Sequence, residues 1–263
     1  MNSTERHMLD VIKRGRDEFG IVALKAEFEA EGTRPDELLR LLEIAFRADI
    51  RVAIKIGGCE ALSDLFSTKL YGAHYVIAPM VETPYALTKF AESKNKSHGA
   101  EVTETEFLVN METVTGLSNL AAMTPIAIAE SIGFVFGRVD FTLSRGMPRS
   151  AINHPSITDS VLEVAKVCAS NNLSLVVGGS VTTESLPALQ KFRSVRLDRF
   201  ETRKVVFDAA LVESPKFSAG IHAALDFETS WLINKRNYYA QIASEDAKRI
   251  EMMQARLEKE RIS

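Results

Sequence analysis

At 263 residues, 46% of them hydrophobic, the chain can bury a full core and matches one α/β barrel better than two small domains. Its 32 basic and 35 acidic residues, a formal net charge of -3, leave no cationic footprint for nucleic acid or an anionic membrane. Two cysteines, Cys59 and Cys168, without CxxC spacing argue against a disulfide framework or a zinc cluster, and no leader or run of roughly 20 apolar residues is present, so the expectation is a soluble, cytoplasmic protein.

Residues 1–19 read as an amphipathic helix on Met8, Leu9, Val11, Ile12 and Phe19. Short runs rich in Val, Ile and Phe then recur with helical segments between them, which is the pattern of successive βα units. Eight strands are predicted: Ile21 to Ala26, Val52 to Ile56, Tyr75 to Ala78, Phe107 to Met111, Phe134 to Gly137, Leu173 to Val177, Val195 to Phe200 and Lys204 to Phe207. Between the first two, Thr33-Arg-Pro-Asp-Glu supplies a cap candidate, a first-turn proline and N-terminal acids for a helix on Leu38, Leu39, Leu41, Leu42, Ala45 and Phe46. The stretch Glu92-Ser-Lys-Asn-Lys-Ser-His-Gly-Ala is polar and aperiodic, so an exposed connection with a solvated His98 is expected there. Ser144 to Pro155, with Gly146, Pro148 and Pro155, reads as a loop that could act as a lid. From Ser218 onward the pattern is one long helix through Trp231, Tyr238, Ile242, Ile250, Met253 and Leu257. The reading is a (β/α)8 TIM barrel over residues 1–217 with a C-terminal helical extension over 218–263. The extension's apolar stripe is buried either against its own barrel or, as the reading preferred here, in a homo-oligomer.

Two acids stand where apolar strands end. Glu112 follows Phe107-Leu-Val-Asn-Met, and Asp140 follows Gly133-Phe-Val-Phe-Gly-Arg-Val. All strands of a parallel barrel aim their carboxyl ends at one face, so these carboxylates can converge on one hard cation. Capping a helix or pairing with arginine is the alternative for both.

With Val76-Ile-Ala-Pro-Met-Val-Glu-Thr before them and Asn153-His-Pro-Ser-Ile after, these segments resemble, in order and spacing, the HpcH/HpaI aldolase and citrate lyase beta family over about residues 20 to 180. The resemblance implies a metal-dependent barrel that makes or breaks a carbon-carbon bond beside a 2-oxo acid such as pyruvate or oxaloacetate. It places the ion on Glu112 and Asp140. Two carboxylates plus waters and a bidentate substrate suit Mg2+, with Mn2+ or Co2+ as substitutes. The backbone amides of Gly137, Arg138 and Val139 match the family's turn that holds the substrate carboxylate. Relatives usually have a proline near Arg138, so the position departs, and the Arg138 side chain would either add a cationic contact or pair with the metal ligands.

Other departures bear on catalysis. Lys55 ends the second strand where relatives commonly carry a substrate-binding arginine; it keeps the charge but loses the planar fork, and as a lysine it could also act as a base or form a Schiff base. Pairing with Glu27 or Glu29 is its alternative role. Glu27 and Glu29 match the family's acid-x-acid pair, and alternation puts them on one side of the strand with Lys25, where one could hold a metal-bound water and the other orient Lys55. Ala30 stands where aldolases place a histidine; citrate lyase beta-like members manage without it. An acyl-coenzyme A ester lyase or thioesterase on the same site, or a non-catalytic barrel subunit, therefore remains as an alternative. Val177-Gly-Gly-Ser-Val-Thr-Thr-Glu could dock a phosphate or form an ordinary capped turn. Arg203 would be an anion contact at the rim, and Cys59 and His154 read as structural. In the relatives a strand precedes the acid-x-acid strand, whereas here residues 1–19 are helical and an extra strand candidate lies at 204–207. The barrel is therefore expected to close through this late strand, as if permuted.

Overall fold

The structure, a computed structural model, describes residues 1–99 and 104–262. Helix α1 (Ser3–Phe19) starts at a reciprocal cap between Asn2 and Glu5 and ends at Gly20, whose φ of 62° favours a residue without a Cβ. Then follow β1 (Ile21–Glu27), α2 (Pro35–Arg47), β2 (Arg51–Lys55), α3 (Leu62–Leu70), β3 (Tyr75–Ala78), α4 (Pro84–His98), β4 (Glu106–Met111), α5 (Val114–Ser118), α6 (Leu120–Ala129) and β5 (Ile132–Gly137). The chain continues through α7 (Arg138–Ser144), α8 (Pro155–Asn171), β6 (Leu175–Gly178), α9 (Leu186–Arg193), β7 (Arg199–Glu201), β8 (Val205–Asp208) and α10 (Phe217–Ile262).

The eight strands form a closed barrel in sequence order. From β1 to β7 every pairing is parallel, as the intervening helices require. Strand β8 differs: it runs antiparallel to β7 and to β1. Only residues 202–204 join β7 to β8, a span that permits a hairpin and excludes a crossover. The late strand thus closes the barrel as anticipated, with its direction reversed, and residues 3–19 are helical. Helix α1 packs on α10, burying Met8, Leu9, Ile12 and Phe19.

Alternation along the strands sorts the interior into layers. Ala23, Ala53, Ile77, Leu108, Val135, Val176 and Val206 pack inside the barrel as an apolar septum. Below it, at the strand starts, Arg199 of β7 pairs across the barrel with Glu106 of β4 at 2.5 Å, and Arg51 donates to Tyr75 Oη at 2.6 Å. Two positions farther along from Ala23, Ala53, Leu108 and Arg199 stand Lys25, Lys55, Asn110 and Glu201, which make the upper layer polar. The strands' other faces join the large outer core beneath the helices.

One expectation is overturned here. Residues 92–98 are not an exposed connection but the last turns of α4, and His98 is 4% exposed with its ring edge-on to Phe107 at 4.9 Å. The buried face of this helix holds Leu87, Phe90, Ala91, Lys94 and His98, a helical spacing whose later members are polar. Ala100 lies outside the described residues. The stretch after α7 is a loop with one 3-10 turn at Arg149–Asn153.

Candidate active site at the carboxyl ends of the strands

Glu112 is the first residue beyond β4 and is 4% exposed. Its Oε1 accepts from the Met80 amide at 3.0 Å and its Oε2 from Asn110 Nδ2 at 2.6 Å, while Lys55 Nζ stands 3.8 Å from Oε2. Met80 follows β3 in the left-handed region, at φ 54°, a conformation costing a non-glycine residue about 1–2 kcal/mol, and it aims its N–H at the carboxylate. The neighbouring strand makes room. A Cβ on Gly137 would lie 3.0 Å from Glu112 Cβ and 3.1 Å from its Oε2, so a side chain there would crowd the carboxylate.

Asn110 is 6% exposed, and its Oδ1 is a buried acceptor without a hydrogen-bond partner. Such an atom costs desolvation energy unless a donor or cation faces it. Asp140 lies in the first turn of α7, after the strand paired with β4; it is exposed and has no hydrogen-bond or ion-pair partner among the described residues. Glu82, in the connection after β3, accepts from Thr113 Oγ1.

A second polar cluster fills the β1 and β7 side of the same layer. Lys25, 7% exposed in its side chain, pairs with Glu201 Oε1 at 2.5 Å and Glu27 Oε1 at 3.2 Å. Burial alone would lower the Lys25 pKa, but Glu201 and Glu27 outweigh it and raise it well above the ordinary lysine value. Burial alone would likewise raise Glu27; Lys25, then Lys55 and Lys204, hold it below the usual carboxylate range instead. Glu27 therefore stands ionised beside Lys55, its partner in the strand register. Gly178 on β6 leaves space for Glu201, whose Cγ would be 3.0 Å from an added Cβ.

The predicted residues divide. Lys55 and Glu112 meet directly, and Glu27 joins them through the β1–β2 register. Glu29 does not share the face of Glu27: β1 ends at Glu27, and Glu29 is exposed in the following loop, against Gly57. The side chain of Arg138 turns away from the metal candidates. It is 1% exposed and donates to the carbonyls of Gly178 (3.2 Å) and Gly179 (3.0 Å), to Asn153 Oδ1 (3.1 Å) and to Ser185 Oγ (3.3 Å), while burial pushes its pKa down to about 10. Neither of its expected roles is seen. Its amide and that of Val139 face Gly179 so closely, at 2.9 and 2.7 Å from an added Cβ, that only glycine fits opposite them. Arg203 is 63% exposed and lies 3.5 Å from Glu31. The Lys25–Glu201 pair, the Asn110 carbonyl and the Met80 amide went unread in the sequence. Lys25 and Glu201 carry a signal, since a charged residue at an inward position of a barrel strand needs a partner; the Met80 amide has none.

Another concavity, of about 860 Å³, lies at the opposite end of the barrel against Arg51, His74, Tyr75, Asp198 and Arg199. Its main charges are already used, Arg199 by Glu106 and Asp198 by Arg196 and the Leu175 amide. In barrels of this architecture chemistry takes place at the other mouth, where the strands' carboxyl ends lie.

The donor chemistry of the upper mouth suits a hard divalent cation. Glu27, Glu82, Glu112, Asp140 and Glu201 outnumber Lys25 and Lys55, and Glu112, Asp140 and the Asn110 carbonyl offer oxygen only. Among the described residues no three His, Cys, Asp or Glu side chains cluster closely enough to hold an ion alone.

A family model described as HpcH/HpaI aldolase/citrate lyase matches residues 50–187, just over half of the chain. No curated protein sequence matches. Among solved structures, an HpcH/HpaI aldolase from Desulfitobacterium hafniense DCB-2 is 12% identical, with TM-score 0.60 over 74% of this chain and 82% of that one. An HpcH/HpaI aldolase/citrate lyase family protein from Burkholderia cenocepacia J2315 is 11% identical, also with TM-score 0.60, over 90% of this chain and 89% of that one. At these identities the two neighbours establish the barrel fold.

Proposed function

Because the chain belongs to the HpcH/HpaI aldolase/citrate lyase family, we propose that it is a divalent-metal-dependent carbon-carbon lyase acting on a 2-oxo acid of the pyruvate or oxaloacetate type. The observation that carries this reading is the buried Glu112 carboxylate, anchored by the Met80 amide and Asn110 and flanked by an amide oxygen without a partner. Glu112 and Asp140 would hold Mg2+, with Mn2+ or Co2+ as substitutes, and Asn110 Oδ1 would face the ion or one of its waters. When bound, the ion supplies Lewis-acid stabilisation of the negative charge that develops on the oxo oxygen as the carbon-carbon bond breaks.

The chain's own groups do the rest. The amides of Gly137, Arg138 and Val139 take the substrate carboxylate, with Gly179 keeping the approach open. Lys55 adds a cation beside Glu112 that favours an anionic substrate over a neutral one. Glu27, kept ionised by Lys25, accepts the proton of the breaking aldol's hydroxyl and returns it to the carbon that bore the bond. Glu29, outside the barrel wall, reaches the site only through its loop. Ala30 leaves that loop without a histidine, which favours the citrate lyase beta-like branch, including cleavage of an acyl-coenzyme A ester, over a simple hydroxy-oxo-acid aldolase. No helix among the described residues is long and apolar enough to cross a membrane; free Cys59 and Cys168 suit a cytoplasmic setting. We assign residues 218–263 to self-association, making the protein a homo-oligomer through its C-terminal helices.

Calorimetric titration of metal-stripped protein with Mn2+, with and without pyruvate or oxaloacetate, tests the reading. Oxo-acid binding should require metal and vanish in Glu112→Gln and Asp140→Ala. Absence of metal binding by the wild type would overturn it. A metal-loaded protein that turns over an acyl-coenzyme A panel but no free oxo-acid aldol would select the ester-lyase branch.

A further inference from the structure

Residues 28–34, between β1 and α2, follow Glu27 and carry Glu29, yet their principal side-chain anchors come from the far end of the chain. Glu31, only 11% exposed, pairs with Lys204 and, at 3.5 Å, with Arg203, both in the turn between β7 and β8. Helix α10 grips that turn: Glu228 accepts from Thr202 Oγ1 at 2.6 Å and from the Lys204 amide at 2.8 Å, and the Lys204 ammonium lies 5.5 Å from the Trp231 ring. At the other end of the segment, the Arg34 guanidinium lies 4.5 Å from the centre of the Tyr239 ring. Tyr239 Oη donates to Glu37 Oε1 at 2.8 Å, and Lys235 pairs with the same carboxylate at 3.0 Å. Local bonds are few: Phe28 N to Lys55 O, Gly32 N to Glu29 O, Thr33 N and Oγ1 to Glu27 O, and, where α2 begins, Arg34 N to Glu37 Oε2 at 3.5 Å and Leu38 N to Arg34 O. Phe28 packs against the outer core, but the residues after it are polar or small and draw their order from such outside contacts.

We propose that residues 28–34 form a flap latched by α10 through two clamps, Lys204–Glu31 and Arg34–Tyr239, so that the state of α10 is transmitted to the mouth of the barrel. Tyr239 is the outermost half-buried residue of α10, and every residue from 240 to 261 is exposed. Whatever steadies or frees the outer helix therefore acts first on Tyr239 and through it on Arg34. The flap in turn sets Glu29 against Gly57 and fixes the carbonyl of Glu27. The consequence for catalysis rests on the lyase reading of Glu27 and Glu29; the latch does not.

Hydrogen exchange read by mass spectrometry on the full chain tests it, comparing wild type, Tyr239→Ala, Arg34→Ala and, as a control two residues past the contact and exposed, Gln241→Ala. In the first two variants peptides spanning 28–34 should exchange about two- to fivefold faster, the size expected from losing one exposed cation–π contact, while β1 to β6 and the control stay at wild-type rates. Should Tyr239→Ala fail to fold, Arg34→Ala decides, because that side chain is 60% exposed and outside the core. Wild-type exchange at 28–34 in Arg34→Ala would overturn the latch. A parallel Mn2+ titration separates the two ideas: Arg34→Ala should bind the ion as wild type does, because Glu112 and Asp140 lie outside the flap, and a wild type that binds no Mn2+ would overturn the lyase reading while leaving the latch standing.

Discussion

Among single residues Lys25 has the largest energetic consequence. It sits between two carboxylates inside the barrel, and removing one partner of a buried ionic cluster typically costs about 3–5 kcal/mol. Lys25→Met should therefore lower the melting temperature steeply, more than Lys55→Met, whose nearest carboxylate is 3.8 Å away. The pH response has a definite sign. Glu27 is held below its usual value near 4.5, so its contribution is complete above that pH and is lost as the pH falls through the depressed folded value. Lys25 is raised, so its share persists to 10.5 and disappears only above it. In Lys25→Met Glu27 loses the first of the cations that hold it ionised, and the variant should gain stability relative to wild type as the pH drops from 7 to 5; melting scans at both pH values would show it. His98 works the other way. Burial holds its pKa below 6.5, so wild-type stability should decline as the pH falls from 6.5, and His98→Phe, which keeps a ring against Phe107, should flatten that decline. Glu112, Asp140 and Lys55 were readable as candidates because strand ends in a barrel share a face. Arg138 was misread because its partners, Gly178, Gly179, Asn153 and Ser185, lie 15 to 47 positions away and no local pattern announces them.

At the level of elements, the turn after β6 and the start of α7 act as one piece. Gly179 adopts φ 87° and would thrust a Cβ into the amides of Arg138 and Val139, while Arg138 holds the carbonyls of Gly178 and Gly179 from below. Gly179→Ala should cost about 1–3 kcal/mol of backbone strain and weaken oxo-acid binding more than metal binding, because the carboxylate pocket closes while Glu112 is untouched. Arg138→Met should lose about 1–3 kcal/mol per carbonyl left without a donor, and Arg138→Lys should recover only part of it, since one ammonium replaces a planar fork. Paired calorimetry and thermal melts separate these effects. All eight strands were legible from apolar runs, but their ends were not. Alternation carried past Glu27 put Glu29 on the wrong side, because the Thr33 amide and hydroxyl turn the chain back onto the Glu27 carbonyl. The predicted seventh strand began at Val195, whereas pairing starts at Arg199, where β6 offers partners. In α4 the stripe was hidden by its composition, since Lys94 reaches the Glu130 carbonyl at 2.7 Å and buries a stem that the sequence marks as polar.

For the whole molecule the decisive feature is α10, 46 residues and thus about 69 Å long. Its first half belongs to the barrel, burying Phe217, Ile221, Ala224, Phe227 and Trp231. Over residues 240–261 every residue of its outer half is exposed, and Ile250, Met253 and Leu257 are each more than half so. A solvated helix of this length is marginal by itself, and burying each of these side chains would contribute about 1.5–3 kcal/mol. The segment 240–261 carries five basic and five acidic residues, interspersed, so two copies can lie together without net repulsion. A chain ending after Tyr239 should therefore keep the barrel's melting cooperativity, since among the described residues every buried side chain of α10 precedes the cut. Its mass in solution by light scattering should fall from a multiple of 29.1 kDa towards that of one protomer. The double variant Ile250→Glu, Leu257→Glu should do the same at full length, because charge replaces the stripe without shortening the helix. A full-length protein already monomeric at micromolar concentration, or a truncated one that keeps its mass, would place self-association elsewhere or nowhere, and the outer helix would then need a different partner to cover its apolar stripe.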